Sequence, residues 1–500
     1  MTAAGDEAQS ALLPLIRRTD DGVALVAADG GDTVTYRDLH EAVARLAGEL
    51  AGRGVAQGDA VALSLWNGPE IVLAFLAIVA AGAAAAPLNP GYTAAEFRTY
   101  LDDLRPRAML FHGDTAAAAR GVCGELGVAM LDLPQGPAAG ASLGGPNGAI
   151  PAAAGDAVAL LLHTSGTTGK PKVVPLRQRN LAHSTWTIAE HYRLGRGDVS
   201  LCVMPLFHVH GLLASTLATL HSGGTVVTRP RFSASAFWDD AVRHGATWYS
   251  AVPTIHHVLL SRAEAEAPPA HSLRFARSCS SALPPSLQAA VEERLGVPVL
   301  QAYGMTEAAH QMSSNPLPPG ERRAGSVGTT TGVEAAIVDD EWRPLPAGEV
   351  GEVCVRGRSV IDGYRDDPAA NAAAFRDGWF RTGDSGRLSA DGYLTLEGRI
   401  KELINRGGEK ISPHEIEEAL LSHPAVAEAV AYAAPDEKYG ERVAAAVVLR
   451  GDVSSDELAA HCAGRLASFK VPASIALLDA IPKGPTGKPQ RRLLAEQIGA

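Results

Sequence analysis

The chain has 500 residues, too many for one compact core, so at least two domains are expected. It is 46% hydrophobic and 20% charged, the composition of an ordinary soluble globular protein, and 44 basic against 55 acidic residues leave a net charge of -11 that gives no support to nucleic-acid binding. Five scattered cysteines (Cys123, Cys202, Cys279, Cys354 and Cys462) contain no Cys-x-x-Cys pair, which argues against a zinc site or a disulfide framework and predicts a reducing, cytoplasmic setting.

Met1 to Glu7 has neither a basic n-region nor an apolar h-region, so secretion is not expected, and Gln497 to Ala500 is no peroxisomal Ser-Lys-Leu address. Thr35, Tyr36 and Leu39 open a helical pattern that runs through Val43, Leu46 and Leu50, stops at Gly52 to Gly54, and yields to a strand over Ala60 to Leu65. Ile71 to Pro87 is the only membrane candidate, but it is short for a span and half alanine and glycine. A buried helix from Pro69 to Ala81 running into a strand at Ala83 to Leu88 is expected instead. Thr93 and Glu96 form a capping box for the next helix. This alternation of helix and strand predicts an α/β architecture with largely parallel sheets.

Pro134 to Ala154 reads as a surface linker, after which the apolar run Val158 to Leu162 enters Thr164-Ser-Gly-Thr-Thr-Gly-Lys-Pro-Lys172. Gly166 and Gly169 allow tight turns and close approach to a ligand. Thr164, Ser165, Thr167 and Thr168 supply hydroxyl donors, and Lys170 and Lys172 supply charge. Such a loop is built to hold phosphate oxygens. It is not a Walker loop, because Thr164 stands where that pattern has its first glycine and Pro171 where it has Ser or Thr.

Leu201 to Phe207 reads as a buried strand ending at His208, with further α/β strands at Thr247 to Val252 and Phe275 to Cys279. From Val333 the pattern changes to short strands, at Glu334 to Val338, Glu352 to Arg356 and Tyr393 to Leu396, which predicts an antiparallel subdomain. A composition shift near Gly398 starts a final unit of domain size. Ser412, Pro413 and Glu415 read there as N-cap, N1 and capping-box residues of a helix up to His423. Strands at Val426 to Ala431 and Val443 to Leu449 and a helix over Ser454 to Leu466 complete a small α+β domain.

Four more segments join the phosphate loop: Tyr303-Gly-Met-Thr-Glu307, Arg381-Thr-Gly-Asp384, Gly398-Arg-Ile-Lys-Glu402 and Pro485-Thr-Gly-Lys488. In this order and spacing the five resemble the core motifs of the adenylate-forming superfamily of acyl-CoA synthetases, luciferases and carrier-protein adenylation domains. The resemblance covers the chain from Thr35 onward and departs from the usual loop only in Val173, where relatives often have glycine. It implies a large N-terminal domain (1–400) of α/β subdomains plus a small β-rich subdomain, and a small mobile α+β C-terminal domain (401–500). It also implies ATP, Mg²⁺ and coenzyme A as cofactor and co-substrates. Thr164 to Lys172 would hold the β- and γ-phosphates, Thr306 the α-phosphate, and Glu307 the magnesium. Tyr303 would lie against adenine with the Gln301-Ala302 backbone nearby, while Asp384 and Arg399 would hold the ribose. Lys488 would bridge the attacking carboxylate and the α-phosphate. Lys401 matches the hinge about which the small domain rotates, and Gly407 and Gly408 would flank the incoming thiol.

Specificity has a physical starting point: a fatty acid needs an apolar tunnel, whereas a small diacid brings a second carboxylate that needs polar partners. By the same resemblance, His208, Ser280 and His310 stand at positions that line the acyl pocket in relatives, and their segments resemble those of the oxalate-CoA ligase branch, most distinctively over His310 to Pro319. His210 and His183 read as structural. The leading expectation is an AMP-forming ligase converting oxalate, ATP and CoA into oxalyl-CoA, AMP and diphosphate. Malonate, short-chain or medium-chain acids stay open, although a malonate enzyme would call for an arginine that the central positions of these segments lack. Loading of a free carrier protein, a luciferase-like oxidation and a silent nucleotide sensor are the other readings. No nucleic-acid or membrane partner is expected, and the oligomeric state stays open.

Overall fold

Pro69 and Ile71 to Ala80 are all buried, and the run folds as the helix Pro69–Ala80, with Pro69 in its first turn and Glu70 beside the positive end of its dipole. It packs on the amphipathic helix Tyr36–Gly52, which a capping box of Thr35 and Asp38 starts where the sequence pattern opens. The computed structural model describes residues 11–13, 16, 19–30, 32–113, 116–133, 155–164, 171–484 and 489–498. Among them no helix is long and apolar enough to cross a membrane. The proposed linker, Pro134 to Ala154, lies outside the described residues.

Two largely parallel sheets carry the N-terminal part. The six-stranded sheet runs Ala129–Leu133, Ala108–His112, Ala60–Leu63, Ala84–Pro87, Val158–His163, Val173–Arg177, parallel except for its last, antiparallel pair. The nine-stranded sheet is parallel through its centre, where Val199–Cys202, Trp248–Ala251, Phe275–Ser278 and Val299–Met305 lie side by side. On one side it continues into an antiparallel hairpin formed by Val299–Met305 and His310–Ser314, with Thr329–Thr330 at the edge. A third, antiparallel sheet joins Glu334–Val338, Gly351–Arg356, Trp379–Leu388 and Leu394–Arg399. The last unit is α+β: its strands, including Ile404–Arg406, Val426–Asp436 and Gly440–Leu449, cover a core of Ile404, Ile416, Leu420, Val443, Val447 and Leu458. The fold class is α/β with a β-rich subdomain and a small α+β C-terminal unit.

Two local expectations are corrected. The strand expected over Leu201 to Phe207 stops at Cys202, because Pro205 has no N–H to give a ladder and the side chain of Asn67 takes over the local pairing. Asn67 donates to the Met204 carbonyl (2.9 Å) and accepts from the Leu206 N–H (2.8 Å). Ser412 starts the helix Pro413–Leu421 but makes no capping bond; its hydroxyl instead donates to the Glu397 carbonyl, while Glu415 pairs with Lys470 at 2.7 Å.

Candidate active site

The strands Val158–His163 and Val173–Arg177, which flank the segment expected to hold phosphates, pair antiparallel, and the Thr164 N–H donates to the Lys172 carbonyl at 3.0 Å. Ser165, Gly166, Thr167, Thr168, Gly169 and Lys170 lie outside the described residues. At the far end of the loop, Lys172 Nζ sits 4.5 Å above the ring of Tyr364, whose hydroxyl donates to Glu307 Oε1 at 3.0 Å. The fold thus brings Lys172 to Glu307 through a tyrosine that sequence reasoning missed; Tyr364 lies between recognisable motifs and carries no local signal.

Tyr303, Thr306, Glu307 and His310 share one hairpin. Thr306–Ala308 forms a single 3₁₀ turn between its strands, and Ala309 (φ 48°) and His310 (φ 88°) both take left-handed backbone conformations to re-enter the sheet. Gly304 makes this possible: a Cβ there would lie 1.8 Å from the His310 carbonyl oxygen. Gly304→Ala should therefore push His310 out of place, lowering stability by about 1–3 kcal/mol and slowing acid activation; thermal melting and pyrophosphate release measure the two effects.

Glu307 is 7% exposed, and burial raises the pKa of its carboxyl. A buried carboxylate that holds one neutral hydroxyl donor suits a hard divalent cation such as Mg²⁺, which binds through one or two carboxylates together with phosphate oxygens. Among the described residues there is no group of three or more His, Cys, Asp or Glu to hold a metal with protein ligands alone.

Asp384, on Trp379–Leu388, pairs across the ladder with Arg399, whose Nε lies 2.9 Å from Asp384 Oδ1. Tyr303 donates its hydroxyl to the other carboxylate oxygen. Burial first, and Asp384 second, push the Tyr303 phenol well above its usual range, so it stays a donor. A carboxylate oxygen can accept more than one hydrogen bond, so Asp384 is chemically able to hold a sugar hydroxyl beside these partners. The Gln301 carbonyl accepts from the backbone and side chain of Asn315 at 3.0 and 3.3 Å, and Ala302 pairs with Ser314.

Of the three acid-pocket candidates the described contacts bring two together, through a residue first read as structural. The Nδ1 of His210 lies 3.0 Å from Ser280 Oγ, and its ring stacks on that of His310 with centroids 4.9 Å apart. His208 stands two residues before His210 and packs its ring on Phe207. The π-helix His210–Leu217 begins here; such segments recur at functional sites. Ser280 (φ 74°) shares the left-handed backbone of His310, a strain of roughly 1–3 kcal/mol at each residue. Beneath them lies Arg277, fully buried and bonded to Tyr192, Gln311 and Ser250; among the described residues no carboxylate pairs with it. His183, first read as structural, bonds the Gly332 carbonyl at 2.9 Å.

Lys401 is exposed on the turn Ile400–Glu402, between the antiparallel sheet and the C-terminal unit, and Glu402 beside it pairs with Arg491 at 3.3 Å. Gly407 (φ 61°) and Gly408 (φ 97°) form the two-residue turn of the hairpin Ile404–Arg406/Glu409–Ile411, where both positions need left-handed backbone. Lys488 lies outside the described residues, framed by an antiparallel bridge between Lys483 and Pro489.

Comparison with known proteins agrees with this geometry. The family model described as "AMP-binding enzyme" matches residues 15–365, and "AMP-binding enzyme C-terminal domain" matches 415–488. The oxalate–CoA ligase of Arabidopsis thaliana is 45% identical over 94% of both chains. The sulfoacetate–CoA ligase of Cupriavidus necator is 41% identical over 93% of both. Among solved structures, ATP-bound MatB from Rhodopseudomonas palustris superposes with a TM-score of 0.91 at 30% identity over 98% of both chains. MenE from Bacillus subtilis with ATP and magnesium ion gives 0.85 at 33% identity, over 97% of this chain and 98% of that one.

Proposed function

Since the chain belongs to the AMP-binding enzyme family and is an AMP-forming CoA ligase, we propose that the acid it activates is oxalate. The observation that carries this reading is a polar cluster in which Ser280 and His310, both in strained backbone conformations, each contact His210; polar groups of this kind suit a small diacid better than a fatty acid. The oxalate–CoA ligase at 45% identity supports the same substrate.

In the first half-reaction an oxalate oxygen attacks the α-phosphorus of ATP and diphosphate leaves; in the second, the CoA sulfur attacks the acyl carbon and AMP leaves. The loop from Thr164 to Lys172 holds the β- and γ-phosphates, and Thr306 the α-phosphate. Tyr303 flanks adenine and Asp384 with Arg399 holds the ribose. Glu307 would hold Mg²⁺, which adds positive charge where the triphosphate is most negative. Lys488 bridges the two reacting groups, so the C-terminal unit must be closed over the site for this step, and rotation about Lys401 then presents Gly407 and Gly408 to the pantetheine arm.

A second reading, sulfoacetate, is favoured by the ligase for that acid at 41% identity; it too is a two-carbon dianion and suits a polar pocket. The test is pyrophosphate release with ATP, Mg²⁺ and CoA across oxalate, sulfoacetate, malonate, acetate and octanoate. Oxalate should dominate. A preference for octanoate would overturn the polar-pocket argument, and release that needs a carrier protein in place of CoA would overturn the acceptor. His310→Ala should raise the oxalate KM at least about tenfold, the worth of one charge-assisted hydrogen bond, and leave the KM for ATP unchanged.

A further inference from the structure

We propose that Arg277 is a specificity-determining positioning residue that aims a directed relay of hydrogen bonds, through Ser250, His210 and Ser280, at the second carboxylate of the substrate. The role in specificity rests on the reading of the acid as a small dianion; the direction of the relay rests on geometry alone.

Arg277 projects from Phe275–Ser278 in the middle of the nine-stranded sheet and is completely buried. Its Nη1 lies 2.9 Å from Ser250 Oγ and 3.4 Å from His210 Nε2. Its other nitrogens bond Tyr192 (2.8 Å) and Gln311 (2.9 Å), both neutral. A guanidinium has donors and no acceptor, so Ser250 must accept from it. Ser250 Oγ has a second lone pair, but a proton on His210 Nε2 would also face the Arg277 Nη1 donor at 3.4 Å, so in this relay the Ser250 O–H donates to an unprotonated Nε2 at 2.7 Å. A nitrogen that accepts carries no proton, which places the proton of a neutral His210 on Nδ1. That N–H donates to Ser280 Oγ at 3.0 Å. The hydroxyl hydrogen of Ser280 is consequently left to point away from the histidine. Ser280 is only partly buried, and the His210 ring that it contacts stacks on that of His310.

Every bond in this sequence runs outward from a fixed positive charge, and bonds in one direction polarise one another in a low-dielectric interior. Its last donor suits an anion. A buried guanidinium bonded only to neutral groups has strong reason to find an anionic counter-charge close by. A second carboxylate supplies it, and a monocarboxylate does not. The left-handed backbone of Ser280 turns its side chain towards His210 in this arrangement. An arginine therefore does serve the distal carboxylate, but from behind the pocket wall.

The test compares wild type with Arg277→Met, Arg277→Lys and Ser250→Ala, measuring pyrophosphate release with oxalate and with acetate and the KM for ATP. In Arg277→Met the oxalate KM should rise about 30- to 100-fold, with the ATP KM unchanged and the preference for oxalate over acetate falling in step. Arg277→Lys should recover part of that preference. Ser250→Ala, which keeps the charge and cuts the relay, should raise the oxalate KM about tenfold. Independently, ¹⁵N NMR of the wild type should show His210 as the Nδ1–H tautomer, with His210→Gln assigning the signal. An Nε2–H tautomer, or an oxalate KM within about threefold of wild type in Ser250→Ala, overturns the relay even if Arg277→Met fails to fold. Wild type that turns over octanoate and not oxalate overturns the acid assignment and the specificity role with it, while the tautomer still decides the relay.

Discussion

Glu307→Gln is expected to slow pyrophosphate release about 10²- to 10³-fold while making the folded protein more resistant to heat at neutral pH. Both effects follow from one position. Glu307 is 7% exposed, burial raises its carboxyl pKa above the ordinary 4.5, and its first neighbour is the Tyr364 hydroxyl at 3.0 Å. A carboxyl with a raised folded pKa favours the fold only while protonated. Its contribution is present below the unfolded value and is lost as the pH climbs through the folded one. At pH 7, above the unfolded value, keeping this carboxyl buried therefore works against the fold, and glutamine removes that cost while keeping an oxygen for Tyr364. The stability gap should close as the pH falls to about 4.5. Melting curves at pH 8 and pH 5, with pyrophosphate release titrated in Mg²⁺, check both parts. A variant no more stable at pH 8 than wild type would contradict the electrostatic account, and one that keeps its Mg²⁺ response would remove Glu307 from the metal.

Lys488→Met and Lys401→Pro should fail in opposite half-reactions. The first removes a positive charge proposed to bridge the nucleophile and the α-phosphate, so formation of the acyl-adenylate should drop about 10²- to 10³-fold. Conversion of preformed acyl-adenylate and CoA to the thioester should survive. The second stiffens the exposed turn Ile400–Glu402 by fixing φ near about −65°, so adenylate formation should survive and thioester formation should fail. Pyrophosphate exchange reads one half-reaction and thioester yield from preformed adenylate reads the other. Equal loss of both in either variant would mean that the two steps do not use different placements of the C-terminal unit.

Much of the fold is legible in local chemistry. Threonine caps with an acidic residue three positions on mark the helix starts at Tyr36 and Ala94. The apolar run at Ile71 to Ala80 marks a buried helix, and short alternating strands from Glu334 mark the antiparallel sheet. Failures came where side chains replace backbone partners. Asn67 satisfies the backbone around Pro205 from a distant loop, and the Ser412 hydroxyl prefers the Glu397 carbonyl to its own helix. Neither competitor is visible within a local window.

The sequence by itself determined the α/β class, the family and the order of the five motifs, because these rest on residue types at short spacing. The tertiary structure alone decided which of those residues meet. It closed Lys172 onto Tyr364 and Glu307, and it put Tyr303 on the Asp384–Arg399 pair. It also made His210 a residue that touches both Ser280 and His310, with Arg277 behind it. The physical reason is that a parallel sheet lays strands distant in sequence side by side, so contacts between Ser250, Arg277 and Gln311 are set by strand order and register, which no local spacing encodes.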